Sequence, residues 1–366
     1  MATLEDMRGF WQGRRVVVTG HTGFKGSWLC LWLGLLEAEV AGYALDPPTE
    51  PSLFELADVG RDIASVQGDV RDLEHLARTI EDFAPQIVIH MAAQSLVRES
   101  YRDAVGTYGT NVMGTVHVFE SARRAGSVRA ILNVTSDKCY ANPTPPERPC
   151  HAHPETDPMG GDDPYSSSKG CAELATSAWR RSFFTDGTVL ASVRAGNVIG
   201  GGDWAADRLV PDCIRAMAEG RPVVIRNPQA VRPWQHVLEP LGGYLLLAER
   251  LLADGEAYAE AWNFGPDAAD ALPVSALVDR VVALWGQGAS WVHDEADHPP
   301  EAQTLRLDCG KAAGRLGWRP RTDIDTALRW TVDWYRRVRD GDDPRQLTLD
   351  RIRAFSDIST EAGDDA

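Results

Sequence analysis

Positive charge is scarce in this chain: Lys and Arg together number 37 against 53 Asp and Glu, a formal balance of −16. That balance excludes a general affinity for nucleic acid or for an anionic membrane surface, so any anionic ligand must be held by a few local cations. Cysteine is thin as well. The six residues Cys30, Cys139, Cys150, Cys171, Cys213 and Cys309 are scattered, with no pair at metal-ligand or disulfide-framework spacing, and they read as reduced thiols of a cytoplasmic protein. Long apolar runs are missing too. The longest, residues 28–36, falls far short of the roughly 20 residues a membrane helix needs and reads as a buried helix. The amino terminus mixes Glu5, Asp6 and Arg8 with few apolar residues and lacks the apolar core of a signal peptide. No internal repeat is visible. What is present is ordinary for a soluble globular protein, 43% hydrophobic and 25% charged residues, in a chain long enough for two domains or one elaborated one.

The regular part begins at residues 15–20, where Val16, Val17 and Val18 form the β-branched run that a parallel sheet buries on both faces. Gly20, Gly23 and Gly26 follow at once, in the stretch Gly20-His21-Thr22-Gly23-Phe24-Lys25-Gly26, and lead into a helix over 27–37. Strand, glycine turn and helix together let backbone amides approach a pyrophosphate at a helix amino terminus, the mark of a dinucleotide site. A second strand over 40–45 ends at Asp46, 20 residues beyond Gly26. A carboxylate there accepts a hydrogen bond from a ribose 2′-hydroxyl and repels a 2′-phosphate, which favours NAD over NADP. Further strands are expected to end at Gly68-Asp69-Val70 and to cover 86–91 and 129–134, with helices over 71–83 and 105–125. Ala92-Ala93-Gln94 after the fourth strand suit close passage of a cofactor. This alternation predicts an α/β fold, a Rossmann-type doubly wound parallel sheet whose ligands bind at the carboxyl ends of the strands.

Two polar groupings fall at such ends. Thr135-Ser136-Asp137-Lys138 follows the fifth strand, and Tyr165 and Lys169 stand four residues apart in Tyr165-Ser166-Ser167-Ser168-Lys169, on one face of a helix. An ammonium held near a phenol favours the phenolate, so a Tyr of ordinary pKa about 10 can serve as a base towards an alcohol. Between the groupings, residues 139–163 are rich in proline and predict a long irregular loop across the mouth of the site. His151 and His153 within it are expected to be solvated, with no metal bound. After a strand over 189–193, a polar turn is expected at Arg194-Ala195-Gly196-Asn197, and then a smaller α/β lobe. Its helices are expected over 210–219, 241–253, 274–285 and 326–339, and most of the 12 tryptophans belong to the core. The expected division is a cofactor-binding domain over 1–194, with contributions from about 232–262, a substrate-binding lobe over 195–350, and a partly disordered acidic tail over 351–366.

Taken together, Gly20 to Trp28, Thr135 to Tyr140, Arg194 to Trp204, Arg232 to Pro240 and Trp262 to Pro266 resemble the extended short-chain dehydrogenase/reductase superfamily, and within it the CDP-glucose 4,6-dehydratases. The likeness runs from Gly20 to about Arg351. It implies NAD held by Gly20, Thr22, Gly23, Phe24, Lys25, Gly26, Asp46, Asp69, Val70, Ala92, Ala93, Gln94, Asn111, Tyr165 and Lys169. It implies CDP-glucose as substrate, with Asn197, Arg208, Leu209 and Arg232 on its nucleotide and diphosphate, and a homodimer or higher homo-oligomer packed through helices near Val105 and Tyr165. In the implied chemistry Tyr165, aided by Ser136, deprotonates the sugar 4-hydroxyl while hydride leaves C4. The 4-ketone acidifies C5, water is lost across C5 and C6, and hydride returns to C6. Asp137 would protonate the departing 6-hydroxyl. Lys138 would act either as a neutral base at C5 or as a cation stabilising the enolate. The segment over 142–155 departs from the aromatic-bearing loop expected in relatives, which bears on sugar specificity more than on reaction type.

Overall fold

A computed structural model of the chain describes residues 3–142, 151–185, 187–294, 296 and 305–358. Residues 143–150 of the proline-rich loop, and residues 359–366 at the end of the expected tail, lie outside the described residues. The strands in chain order are β1 Arg15–Thr19, β2 Glu39–Ala44, β3 Ala64–Gln67, β4 Ile87–His90, β5 Ala130–Val134, β6 Val189–Ala195, β7 Asn197–Ile199, β8 Val223–Ile225, β9 Val231–His236, β10 Ala261–Phe264, β11 Ala271–Pro273 and β12 Trp291–His293. Seven of them form one sheet in the order β10-β6-β5-β4-β1-β2-β3, all pairs parallel. The order reverses between β1 and β4. At such a switch point the connecting helices lie on opposite faces and leave a crevice above the strand ends.

Local chemistry explains the elements that frame this crevice. The strand β1 is buried from Val16 to Thr19, and the helix Phe24–Leu35 is buried from Gly26 to Leu33, as its nearly all-round apolar sequence requires. Gly20 has φ 76°, and a Cβ on it would lie 2.8 Å from the Ala92 nitrogen, while one on Gly26 would lie 2.2 Å from the Gly20 carbonyl oxygen. Neither position tolerates a side chain, because helix, turn and β4 meet there backbone to backbone. His21, within the glycine turn, is buried with Nε2 2.7 Å from the Ser65 hydroxyl. Its ring fills the space that a side chain on Gly42 would need.

The helix Pro164–Ser182 opens with Asp163 accepting from the Ser166 amide and with proline in its first turn, a position where a missing N–H leaves no bond unmade. The stretch expected as one helix over 105–125 is α-helical at Ala104–Tyr108 and Gly114–Ala125, with a π-helical turn at Gly109–Met113 between them.

The smaller lobe adds a three-stranded sheet, β11-β9-β7, and the pair β12-β8. It shares its core with the first: one buried cluster includes Trp28 and Trp32 of the Phe24–Leu35 helix and Trp318, Trp334 and Tyr335 of the last third of the chain. The Trp28 indole donates to the Gly201 carbonyl at 2.9 Å. Strand β10 returns to the large sheet beside β6. At the ends, residues 4–11 form a capped helix, Leu4–Trp11, and residues 351–356 are the last turns of the helix Pro344–Ser356.

Candidate functional site

A cleft of ≈ 1340 Å³ opens above the switch point. It exceeds the roughly 300–1,000 Å³ of sites that hold one small ligand, so it has room for two. Its walls include Gly20, Thr22, Gly23, Phe24, Lys25, Gly26, Asp46, Asp69, Val70, Ala92, Ala93 and Gln94 on one side, Ser136, Asp137, Lys138, Tyr165 and Lys169 in the middle, and Asn197, Arg208, Leu209 and Arg232 on the other. The residues singled out in the sequence therefore converge on one cavity, with one exception. Asn111 is buried behind the wall, where its amide clasps the backbone of Gln94, donating to its carbonyl and accepting from its N–H, both at 2.9 Å, and also donates to the Ser168 hydroxyl. It positions the cofactor-side loop and does not line the cleft.

The first wall fits a dinucleotide. The glycine turn leaves the amino terminus of the Phe24–Leu35 helix open to the cavity, and Asp46 is exposed directly after β2. The Asp69 carboxylate is held by the Arg71 guanidinium at 2.9 Å. Lys25 donates to the Tyr244 hydroxyl at 3.0 Å and has its ammonium 4.9 Å from that ring's centre. Burial, with Lys169 and Arg208 nearby, pushes the Lys25 pKa down to about 7. An amine so placed, with a neutral phenol as its hydrogen-bond acceptor, suits an anionic group such as a diphosphate entering the cleft.

In the middle of the cleft, Tyr165, Ser136 and Asp137 are all buried, at 7%, 7% and 5% exposure. Ser136 donates to the Asp137 carboxylate at 3.0 Å and accepts from the Lys138 amide. Burial pushes the Tyr165 phenol up to about 12, opposed by its hydrogen bond with Ser136 and the charge of Arg208. The expected contact between the Lys169 ammonium and this phenol is not the main influence on it. The four-carbon stem of Lys169 carries its Nζ past Tyr165 to the Val134 carbonyl, at 3.3 Å. Burial pushes its own pKa down to about 8, against the charge of Glu173. Asp137 is held above the usual carboxylate range by burial, with the Lys138 charge, Ser136 and Arg232 pulling the other way. Gly196 leaves room for it, since a Cβ there would lie 2.9 Å from Asp137 Oδ2.

Arg194, expected in a polar turn, is instead the last buried charge of β6. Its Nε and Nη2 donate to the two oxygens of Glu173 at 2.9 and 2.8 Å, and its Nη1 donates to the Tyr140 hydroxyl at 2.6 Å. Thr135 and Ser192 also donate to Glu173, and Tyr140 donates to Asn263 at 2.8 Å. This network forms the floor beneath Ser136 to Lys138. A charge cannot be buried at a strand end without a partner, and the partner, on a helix about twenty residues earlier, is not visible in a local pattern.

Sequence reasoning named Arg208 but missed two further cations that line the cleft, Arg98 and Arg226. Arg208 donates to Asp203 at 2.9 Å and to the Ser95 hydroxyl at 2.8 Å. Asp207 lies 3.2 Å from Arg98 and 3.7 Å from Arg226. The proline-rich segment departs from expectation too: His153 is 7% exposed, and it and His151 both point at Asp157.

Comparison with known proteins gives the class. The profile of the family described as GDP-mannose 4,6 dehydratase matches residues 17–331, and the chain belongs to that family. Within it, the chain is 54% identical over 342 residues to the CDP-glucose 4,6-dehydratase of Salmonella typhimurium, covering 92% of this chain and 94% of that protein. It is 29% identical to the dTDP-glucose 4,6-dehydratase of Mycolicibacterium smegmatis, over 88% of this chain and 93% of that protein. Among solved structures, the dTDP-glucose 4,6-dehydratase of Streptomyces venezuelae, crystallised with NAD bound, superposes with a TM-score of 0.75 at 26% identity, covering 90% of this chain and 99% of that one. The UDP-glucose 4-epimerase of Thermotoga maritima shares the fold, with a TM-score of 0.76 at 21% identity over 88% of this chain and 99% of that one.

Proposed function

We propose that the chain is a hydro-lyase, an NAD-dependent CDP-glucose 4,6-dehydratase that converts CDP-D-glucose to CDP-4-dehydro-6-deoxy-D-glucose. The observation that carries this reading is the 54% identity along 92% of the chain to a CDP-glucose 4,6-dehydratase. The buried trio Ser136, Asp137 and Tyr165 supports it. NAD, when bound along the glycine turn and against Lys25, Asp46 and Tyr165, accepts hydride from C4 of the sugar and returns it to C6.

The chain's own groups supply the proton chemistry. Tyr165 takes the proton of the 4-hydroxyl, and the Ser136 hydroxyl and the Arg208 charge favour the phenolate this requires. Asp137, its pKa raised by burial, is placed to deliver a proton to the departing 6-hydroxyl, and a raised pKa suits a general acid. An epimerase needs no such acid. Lys138 adjoins Asp137 and serves the C5 step. Arg208 and Arg232 offer planar guanidinium groups for the diphosphate. The cleft's capacity for two ligands agrees with a cofactor that stays while substrate exchanges.

The finer claims of assembly and location belong to the same reading. Tyr101, Val105, Tyr108 and Met113 are exposed, Val105 at 85%, on the helical segments packed against Pro164–Ser182, and Leu174 is exposed on that helix itself. An apolar row of this kind supports a homodimer packed through that face. Among the described residues no helix is long and apolar enough to cross a membrane, and the five described cysteines are free, in keeping with a reducing cytoplasm.

The test is mass spectrometry of CDP-glucose, dTDP-glucose, UDP-glucose and GDP-mannose after incubation with purified protein and no external reductant. Loss of one water from CDP-glucose alone is expected. Loss from another donor in its place overturns the nucleotide assignment, and an isomer of unchanged mass overturns the lyase.

A further inference from the structure

Outside the cleft, one group of side chains has no part in the chemistry above. His151 Nε2 and His153 Nδ1 both approach the same oxygen, Oδ2 of Asp157, at 2.5 and 2.8 Å. That oxygen has two lone pairs and can accept from both rings, but the three groups also meet as potential metal ligands. Two imidazole nitrogens and a carboxylate oxygen, all within 4.8 Å of one another, make a donor set of another kind. Ligands of a zinc-type ion lie roughly 2.0–2.2 Å from it, so these atoms reach a common centre after small rotations. A mixed nitrogen and oxygen set selects a borderline transition cation, because Mg²⁺ and Ca²⁺ prefer oxygen throughout.

The site is built before any ion enters. The His153 ring stacks on Tyr140, 4.8 Å between centres and 11° between planes, and Tyr140 is itself fixed by Arg194 and Asn263. The His153 backbone is pinned on both sides: its amide donates to the Arg306 carbonyl at 2.9 Å, and its carbonyl accepts from the Asn263 amide at 2.8 Å. The Asp157 amide closes a turn on the Pro154 carbonyl, and the Pro158 carbonyl accepts from the Ala141 amide. His151 is the adjustable member, its side chain 23% exposed, with its ring 4.9 Å from that of His153 and tilted by 80°. Ligands held by a rigid frame on one side and a movable imidazole on the other can close on an ion without distorting the fold.

We propose that His151, His153 and Asp157 form a binding site for a divalent transition cation of the zinc type. The ion replaces the protons shared between the two imidazoles and the carboxylate, and ties residues 151–157 together against Tyr140. It does not touch substrate. A protein with a formal charge of −16 also favours cation capture in general, so the test must separate this site from scattered surface binding.

Full-length protein without a histidine tag is stripped with chelator, dialysed against ZnCl2 and assayed for bound metal, and CoCl2 is used in parallel for its ligand-field spectrum. One zinc per chain is expected, with a cobalt spectrum of low coordination number and a rise in Tm with zinc. His151→Ala and Asp157→Asn are expected each to weaken zinc binding by more than the roughly 100-fold that loss of an outer-shell partner costs, and to abolish the zinc-dependent Tm rise. Should Asp157→Asn fold poorly, His151→Ala decides alone, since that imidazole is partly exposed. Binding well below one ion per chain, or equal uptake by wild type and His151→Ala, overturns the proposal and reduces the cluster to a hydrogen-bonded tie. The result is independent of which nucleotide sugar is turned over.

Discussion

Glu173 and Arg194 face each other with both carboxylate oxygens and two guanidinium nitrogens engaged, each side chain 4% exposed. Burial alone would raise the Glu173 pKa, but the Arg194 charge and its hydrogen bonds, with those of Thr135 and Ser192, outweigh it and hold the carboxyl below its usual value. The pair spans the helix that carries Tyr165 and Lys169 and the strand that leads to Asn197. The two ends of the active site are thereby locked in one register.

Removing one partner leaves the other charge buried and alone, which costs about 3–5 kcal/mol. Glu173→Gln should therefore lower unfolding stability by that order in urea titration, and Arg194→Met likewise. A folded-state pKa below the unfolded one gives stability that is present above the unfolded value and lost as pH falls through the folded value. Wild type should lose this contribution on acidification below the ordinary carboxylate range, whereas Glu173→Gln should show a flatter acid limb. Equal acid limbs in the two proteins would mean that the pair contributes no pH-dependent stability.

Tyr165→Phe should keep NAD bound, measured by retained cofactor absorbance after gel filtration, while turnover falls by at least the roughly 10²–10⁴-fold attributable to a positioned acid or base. Ser136→Ala makes a finer prediction. Because the Ser136 hydrogen bond lowers a phenol that burial has pushed up to about 12, its loss should move the alkaline rise of kcat/KM to higher pH. An unchanged pH profile in Ser136→Ala would remove Ser136 from the activation of Tyr165.

Lys25 shares the sign of Glu173's linkage, a folded-state pKa below the unfolded one, but in a higher pH window. Its amine is pushed down to about 7 in the folded chain by burial, then by Lys169 and Arg208, against about 10.4 when unfolded. Between those values the unfolded state binds the extra proton, so this group's penalty is present in full below about 7 and is relieved as pH rises through the window. The cofactor-free protein should gain stability from this residue between neutral pH and pH ~10, and Lys25→Met should be more stable than wild type near pH 7. If Lys25 holds the diphosphate as proposed, the same variant should bind NAD more weakly by calorimetry. Undiminished NAD affinity in Lys25→Met would place the diphosphate elsewhere.

What was legible in the sequence was what is local. The run Val16 to Val18, the glycine turn and Asp46 declare strand, turn and strand end within thirty residues, and Tyr165 with Lys169 declare a helix face. What was not legible depends on partners far along the chain. Arg194 looks like a turn residue until Glu173 is placed beside it, and Asn111 looks like a cofactor contact until Gln94 and Ser168 claim its amide. His151 and His153 look solvated until Tyr140 and Asp157 are brought against them. The helix Pro344–Ser356 did carry a local signal, an Asp343 cap followed by proline in the first turn, but its few core residues, Leu347, Ile352 and Phe355 among them, give weak periodicity.

Val105, at 85% exposure, lies on the apolar row with Tyr101, Met113 and Leu174. A charge there costs the monomer little, because the side chain faces water already, but it must be desolvated without a partner if a second copy packs on it. Val105→Glu is therefore expected to leave thermal unfolding at low protein concentration nearly unchanged and to shift the sedimentation profile from dimer to monomer. A dimer that persists at the wild-type affinity would move the interface to another face.

The sharpest separation of chemical roles is at Asp137. Its carboxyl is kept above the usual range by burial, in spite of the charges of Lys138 and Arg232 and the Ser136 hydrogen bond. A proton from this group is needed when the 6-hydroxyl leaves and not when C4 is oxidised. In Asp137→Asn the shape and the Ser136 contact survive while the transferable proton is lost, so oxidation should proceed and elimination should stall. Rapid-quench analysis with CDP-glucose should then show the 4-keto, 6-hydroxy sugar accumulating on the enzyme alongside reduced cofactor, with overall turnover reduced roughly 10²–10⁴-fold. If both steps slow equally, Asp137 acts on substrate binding or on Tyr165, and the proton for the leaving hydroxyl must come from another group in the cleft.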